Sequence, residues 1–169
     1  EQAYLETALK WAARHDGIAD TTPVDKYMAI HQYDPNAYKL WAYYMQVMTW
    51  VKSTFPKYRK EMKGLDWGDM FDEFGSEVYN TDKLEQQIHD LMEDDEIMKK
   101  SGIYRYVLSN DLRNLSFRTF DKKQKREAYE RQKGICPHCG KHFELEEMEA
   151  DHIKPWHEGG TTIAEICQM

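Results

Sequence analysis

Residues 134–160 read GICPHCGKHFELEEMEADHIKPWHEGG, and the rest of the chain is understood from this stretch outward. Cys136 and Cys139 stand two residues apart, with a Gly140-Lys141 turn after them. The stretch then runs through Phe143 and Glu149 to Asp151-His152-Ile153, Pro155 and a Gly159-Gly160 pair. These residue types suit one chemistry. Hydrolysing a phosphodiester needs a water made nucleophilic and a cation to neutralise charge on the phosphate and the leaving oxygen. A neutral histidine is a suitable base near pH 7, because an unperturbed imidazole has a pKa of about 6.5. A carboxylate is the hard oxygen ligand that Mg²⁺ prefers. Adjacent residues of a regular strand point to opposite faces, so Asp151 and His152 share a target only if the strand bends or bulges there. An Asp-His dipeptide alone is an ordinary surface feature of a hairpin; the ordered surroundings give it meaning.

That order resembles the HNH endonuclease family, in which a Cys-x-x-Cys knuckle precedes a β-hairpin ending in Asp-His-Ile and a Gly-Gly turn leading into a helix. The resemblance implies a metal-dependent DNA endonuclease with a ββα-metal motif. It implies that Asp151 binds a divalent cation (Mg²⁺ or similar), that His152 is the general base, and that Cys136 and Cys139 are ligands of a structural zinc. The chain also departs from the pattern. HNH proteins of this knuckle type continue with an asparagine, a second Cys-x-x-Cys and a metal-binding His or Asn on a helix. The asparagine position falls at Ile166, where no side-chain amide is present. The expectation is therefore a truncated motif, an incomplete zinc site and little or no activity from this stretch of chain. His138 and His142 are near enough to be weighed as further zinc ligands, although His138 lies inside the knuckle turn. Cys167 reads as a small buried residue and not as a ligand.

Composition sets the frame. The chain has 169 residues, 41% hydrophobic and 31% charged, as expected of a globular protein of one normal domain or two small ones. No apolar run is long enough to span a membrane, and a cytoplasmic location is expected. Three cysteines, two of them in a Cys-x-x-Cys, argue for metal or redox chemistry over a disulfide framework. A net charge of −7 is unusual for a nucleic-acid binder, so the distribution of charge matters more than its sum.

The distribution is uneven. Between residues 113 and 133, Arg113, Arg118, Lys122, Lys123, Lys125, Arg126, Arg131 and Lys133 outnumber Asp121, Glu127 and Glu130. Asp121 is a plausible N-cap, so residues 122–133 read as a basic helix leading into the knuckle. Its few apolar residues, Ala128 and Tyr129, predict an exposed helix. Arg118, Lys122, Lys123, Lys125 and Arg126 are the candidates for contact with the DNA phosphate backbone.

The earlier residues read as a helical body. Leu5, Ala8, Leu9 and Ala12 predict a helix over residues 2–14. Thr22-Pro23-Val24-Asp25 gives a start signal for a short helix to His31. Leu40, Tyr44, Val47, Met48, Val51 and Phe55 form the strongest helical stripe, closed by Pro56, with Trp41, Trp50 and Trp67 expected to pack nearby. Residues 66–74 and a segment starting near Asp82 read as further helices, and residues 103–108 as strand or helix. Basic residues 57–63 and the acid run Glu93-Asp94-Asp95-Glu96 read as solvated faces, because nothing apolar frames the acids. The expected architecture is mainly α, with a helical domain over residues 1–120 and a truncated HNH domain over residues 121–169.

From about Tyr38 through the 125–134 run KREAYERQKG, the chain is similar to the carboxy-terminal half of bacterial restriction-like proteins. Those proteins join an amino-terminal ParB-like domain of the GmrSD type to an HNH nuclease. The resemblance implies defence against foreign DNA, and a partner in the amino-terminal domain that this chain lacks. Two other readings compete. Cys-Pro-His-Cys also occurs as a thioredoxin-like redox motif, which needs its first cysteine at a helix N-terminus after a buried strand. A non-catalytic helical module, binding nucleic acid or protein through a zinc-ribbon remnant, is the other.

Overall fold

Apolar residues spaced three and four apart build the first part of the molecule. A computed structural model describes residues 2–169, which fall into two compact units. The first comprises residues 2–93 and 100–114, the second residues 94–99 and 115–169. The second therefore starts before the expected boundary at residue 120 and takes in a short segment from the middle of the helical body. Mainly helical structure is found, with seven α-helices and one two-stranded sheet among the described residues.

The first unit holds α1 (Gln2–His15), α2 (Pro23–His31), α3 (Tyr38–Thr54), α4 (Trp67–Phe74), α5 (Thr81–Glu93) and α6 (Ile103–Ser109). The α3 stripe buries Val47, Val51 and the following Phe55. Phe55 and Trp67 both pack edge-on against Tyr104 of α6, with ring centroids 5.4 and 5.6 Å from it. Residues 103–108 are thus helix, buried through Ile103, Tyr104, Val107 and Leu108. Of the three tryptophans expected in the core, Trp50 and Trp67 are buried, but Trp41 is 60% exposed. The α5 cap is also shifted. Asn80 Oδ1 accepts from Lys83 N at 2.9 Å, so the helix starts at Thr81 and not at Asp82. Arg59 leaves the basic 57–63 patch to form a bidentate pair with Glu85, which makes it a cross-link and not part of a solvated face. Arg113 is held by Asp111 within this unit.

The second unit is organised by main-chain pairing and by one helix. Residues 96–98 run antiparallel to 116–118. Arg118 N donates to Glu96 O and Met98 N to Ser116 O, each at 2.8 Å, and Ile97, paired with Phe117, is 2% exposed. The helix α7 (Lys122–Gln132) starts with a reciprocal capping box, Gln124 N to Asp121 Oδ1 at 2.8 Å and Asp121 N to Gln124 Oε1 at 2.9 Å.

One face of α7 is not exposed as expected. Ala128 is fully buried in a cluster with Phe120, Cys167 and Met169. Around it, polar side chains at helical spacing hold main chain. Gln124 Nε2 donates to Thr162 O, Arg131 to the carbonyls of Ala164 and Cys167, and Gln132 Oε1 accepts from Met169 N. Each such bond contributes about 0.5–1.5 kcal/mol, so a helix with few apolar residues still docks firmly.

The sheet pairs β1 (Asp151–His152) antiparallel with β2 (Cys167–Gln168), Asp151 opposite Gln168 and His152 opposite Cys167. The expected pairing of the Asp-His strand with the chain just before it is replaced by this one. Residues Leu145–Glu147 form a 3₁₀ turn, and only a single bridge, Ile135 with His142, closes the knuckle side. Residues 164–169 hold a 3₁₀ turn and β2 where the start of a helix was expected.

Candidate active site

His152 occupies the centre of the second unit's polar cluster. Its place is fixed by β1 and by Ile153 N, which donates to Ile166 O at 2.8 Å immediately after the strand. Ile166 thus braces the loop through its carbonyl, where a side-chain amide was expected by resemblance. The imidazole is half-buried, with one face 4.3 Å from the Phe120 ring. Its Nε2 lies 3.1 Å from Thr162 Oγ1. Thr162 is 5% exposed, and its hydroxyl also meets the Glu96 carboxylate and, at 3.3 Å, the Arg118 carbonyl.

Asp151 is exposed, and its Oδ1 accepts from the His152 amide at 2.7 Å. The two side chains therefore differ in exposure, as opposite faces of a strand require, and the chain bends directly after them at residues 153–154. The following loop is tightly built. Gly160 N donates to Pro155 O at 3.0 Å, and a Cβ on Gly160 would lie 1.8 Å from Lys154 O, so only glycine fits. Trp156 anchors the loop by donating to Asp94 Oδ2 at 2.7 Å and packing 4.8 Å from Phe117. His157 is exposed beside Glu158, 3.8 Å away.

The knuckle is a turn closed by Cys136 N to Lys141 O and Gly140 N to Cys136 O, both 2.9 Å. The amides of Cys139 and then His138 donate to the Cys136 sulfur and hold its thiol below the usual range. That is the environment of a metal-binding or reactive thiolate. It arises here from a turn after a helix, with Cys136 four residues beyond the end of α7, and not from a helix N-terminus. The redox reading loses its structural requirement.

Residues 136–168 match the HNH endonuclease family model. The match starts at the first knuckle cysteine and contains Asp151, His152 and Thr162. It covers a minor part of the chain and describes that segment. No curated protein and no solved structure matched the chain.

The metals that the matched family implies do not fit this segment equally. A structural zinc site is closed by four ligands, usually with tetrahedral geometry. Cys136 and Cys139 supply two. Among the described residues, no group of three or more His, Cys, Asp or Glu side chains is placed to hold a metal ion, and His138 and His142 do not complete a set. The residues present do not fit a closed zinc site. For a Mg²⁺-like cation the fit is better, since that ion is often held by one or two carboxylates plus substrate phosphate and water. Asp151 provides one accessible carboxylate.

The basic candidates divide by their neighbours. Arg118, Lys122, Lys123 and Arg126 are exposed, and Lys125 is half-buried. Lys123 and Arg126 already face Glu127 and Glu130, at 3.7 and 3.3 Å. These i,i+4 pairs are exposed, so each contributes only about 0.3–0.5 kcal/mol and yields readily to phosphate. Arg131 is committed to main-chain carbonyls.

Cys167 is fully buried, and burial pushes its thiol up. Sequence reasoning missed Phe120, Thr162 and Glu96 around the imidazole. Glu96 in particular belongs to an acid run that reads as a solvated face, yet it and Asp94 turn into this unit and hold Thr162 and Trp156.

Proposed function

We propose that the HNH segment hydrolyses DNA phosphodiester bonds, with His152 as general base and Asp151 as the carboxylate that holds a divalent cation. One observation carries the reading. An imidazole pinned on one edge and one face stands next in sequence to an accessible carboxylate, inside a segment matched to HNH endonucleases. The cation would supply charge neutralisation at the phosphate. His152 takes the proton of the attacking water. Phe120 and Thr162 keep the ring oriented, so that the reaction does not wait for a rotamer search. Arg118, Lys122, Lys123, Lys125 and Arg126 hold the phosphate backbone without reading sequence. Cys136 and Cys139 bind zinc weakly. One carboxylate gives a low cation affinity, so cutting by this chain is slow or undetectable at ordinary Mg²⁺. By its resemblance to restriction proteins, the protein acts in defence against foreign DNA, in the cytoplasm, together with an amino-terminal partner domain.

The second reading is a module that binds DNA or protein without cutting. The single carboxylate favours it.

Plasmid nicking at high Mg²⁺ or Mn²⁺ separates the two readings. General-base catalysis contributes about 10²–10⁴-fold, so His152→Ala should lose about that much rate and more metal should not restore it. Asp151→Ala should also lose activity but recover part of it as the cation is raised. His157→Ala should cut normally. A protein that binds DNA yet never nicks it sinks the nuclease reading. Nicking lost in His157→Ala but kept in His152→Ala assigns the base to the wrong histidine.

A further inference from the structure

Glu96 lies in residues 94–99, which the fold places in the second unit although most of their sequence neighbours belong to the first. Its carboxylate accepts from the Thr162 hydroxyl, and Thr162 Oγ1 is 3.1 Å from His152 Nε2. The hydroxyl has one proton. Its other neighbours, the Glu96 carboxylate and the Arg118 carbonyl at 3.3 Å, only accept. Whichever of them takes the proton, the oxygen can face His152 only as an acceptor. Nε2 must then be the protonated nitrogen of the neutral ring. By elimination, Nδ1 carries the lone pair.

We propose that Glu96, acting through Thr162, is a positioning residue that locks His152 in its Nε2–H tautomer and so makes Nδ1 the basic nitrogen. The relay is built into the fold. Thr162 is 5% exposed, Arg118 N donates to Glu96 O at 2.8 Å to hold the Glu96 backbone, and Gln124 Nε2 donates to Thr162 O at 2.9 Å to hold the Thr162 backbone. The Phe120 ring at 4.3 Å excludes water from one face of the imidazole, which strengthens the polar contact on its edge. Without the carboxylate only the longer 3.3 Å contact to the Arg118 carbonyl competes for the proton, and the hydroxyl can turn it towards Nε2. That reverses the tautomer and places the lone pair on the wrong nitrogen.

The proposal rests on His152 being the base, but its test does not depend on cutting. The tautomer is read from long-range ¹H–¹⁵N correlation spectra of histidine-labelled protein at a pH where the imidazoles are neutral. The His152 signals are identified by their loss in His152→Ala. The native protein should show Nε2–H. Glu96→Gln keeps the shape but replaces an acceptor-only group with one whose NH2 can donate to the hydroxyl and free its proton for Nε2, so Nδ1–H should appear. Thr162→Val removes both donor and acceptor at Nε2, so the ring should lose its single tautomer and show a mixture, and Thr162→Ser should restore the native pattern. Where activity is measurable, kcat in Glu96→Gln should fall about 10–100-fold, the usual effect of losing an outer partner, with KM unchanged. Should Glu96→Gln fail to fold, Thr162→Val with its serine rescue carries the same test. An Nδ1–H tautomer in the native protein, or a tautomer unmoved by both substitutions, overturns the proposal. A tautomer that moves as described in a protein that never cuts DNA keeps the relay and removes the nuclease reading instead.

Discussion

Gly160→Ala should damage the second unit far more than its chemistry suggests. The added Cβ would sit 1.8 Å from Lys154 O, 2.7 Å from Lys154 C and 2.9 Å from Pro155 O. Ordinary contact begins at 3.4 Å, so the turn must open by about 1.6 Å against backbone atoms that cannot rotate away. Opening it breaks the Gly160 N to Pro155 O bond of 3.0 Å. The overpacking costs about 1–3 kcal/mol. The broken bond costs about 1–3 kcal/mol more, because Gly160 is buried. The total is about 2–6 kcal/mol, against a whole-domain stability of about 5–15 kcal/mol. Amide hydrogen exchange read by mass spectrometry over residues 150–169 should therefore quicken about 30-fold or more. Gly159→Ala is the control. Its φ of 85° puts alanine in the left-handed region at about 1–2 kcal/mol, but its Cβ meets only the flexible Lys154 Nζ at 3.6 Å. Equal exchange in Gly160→Ala and the native protein, or greater damage from Gly159→Ala, would refute the close approach on which the argument stands.

Two further outcomes are expected. Reversing Lys122, Lys123, Lys125 and Arg126 to glutamate should weaken DNA binding and flatten its salt dependence by up to about 0.9 per lost phosphate contact; a binding isotherm unchanged across salt would make this side of α7 a solvated face. Zinc should be found below one per chain and leave readily to a chelator, since Cys136 and Cys139 supply half a tetrahedral set; tight stoichiometric zinc by elemental analysis would show that a histidine or a partner chain completes the site.

The helical body was legible because buried helices repeat at 3.6 residues, and α3 carries that repeat through Val47, Val51 and Phe55. Aromatic character alone does not place Trp41, which lies on α3 beside Tyr44, with ring centroids 6.0 Å apart, yet mostly in solvent. The docking of α7 was hidden for a different reason. Its docked face has one buried residue, Ala128, flanked by Gln124, Arg131 and Gln132, whose side-chain hydrogen bonds go to main chain and leave no hydrophobic period. The partner of β1 was also invisible, since a strand of two residues has no alternation to read. Asp151 and His152 stood out through their motif. Glu96 did not, because a run of four acids reads as solvated and its partner Thr162 lies 66 residues further on. Side chains that act through main chain or across long sequence separations leave no local signature.

Residues 94–99 have a consequence for how such a unit travels through evolution and through the laboratory. The chain leaves the first unit after residue 93, returns to it at residue 100, and leaves again after residue 114. The second unit is therefore not a cassette that can be excised in one cut. A piece starting at residue 115 would take the motif but leave behind Ile97, which is paired with Phe117, and the two acids that hold Trp156 and Thr162. Recombination that preserves the segment matched to HNH endonucleases must also carry the six residues 94–99 from inside the helical body.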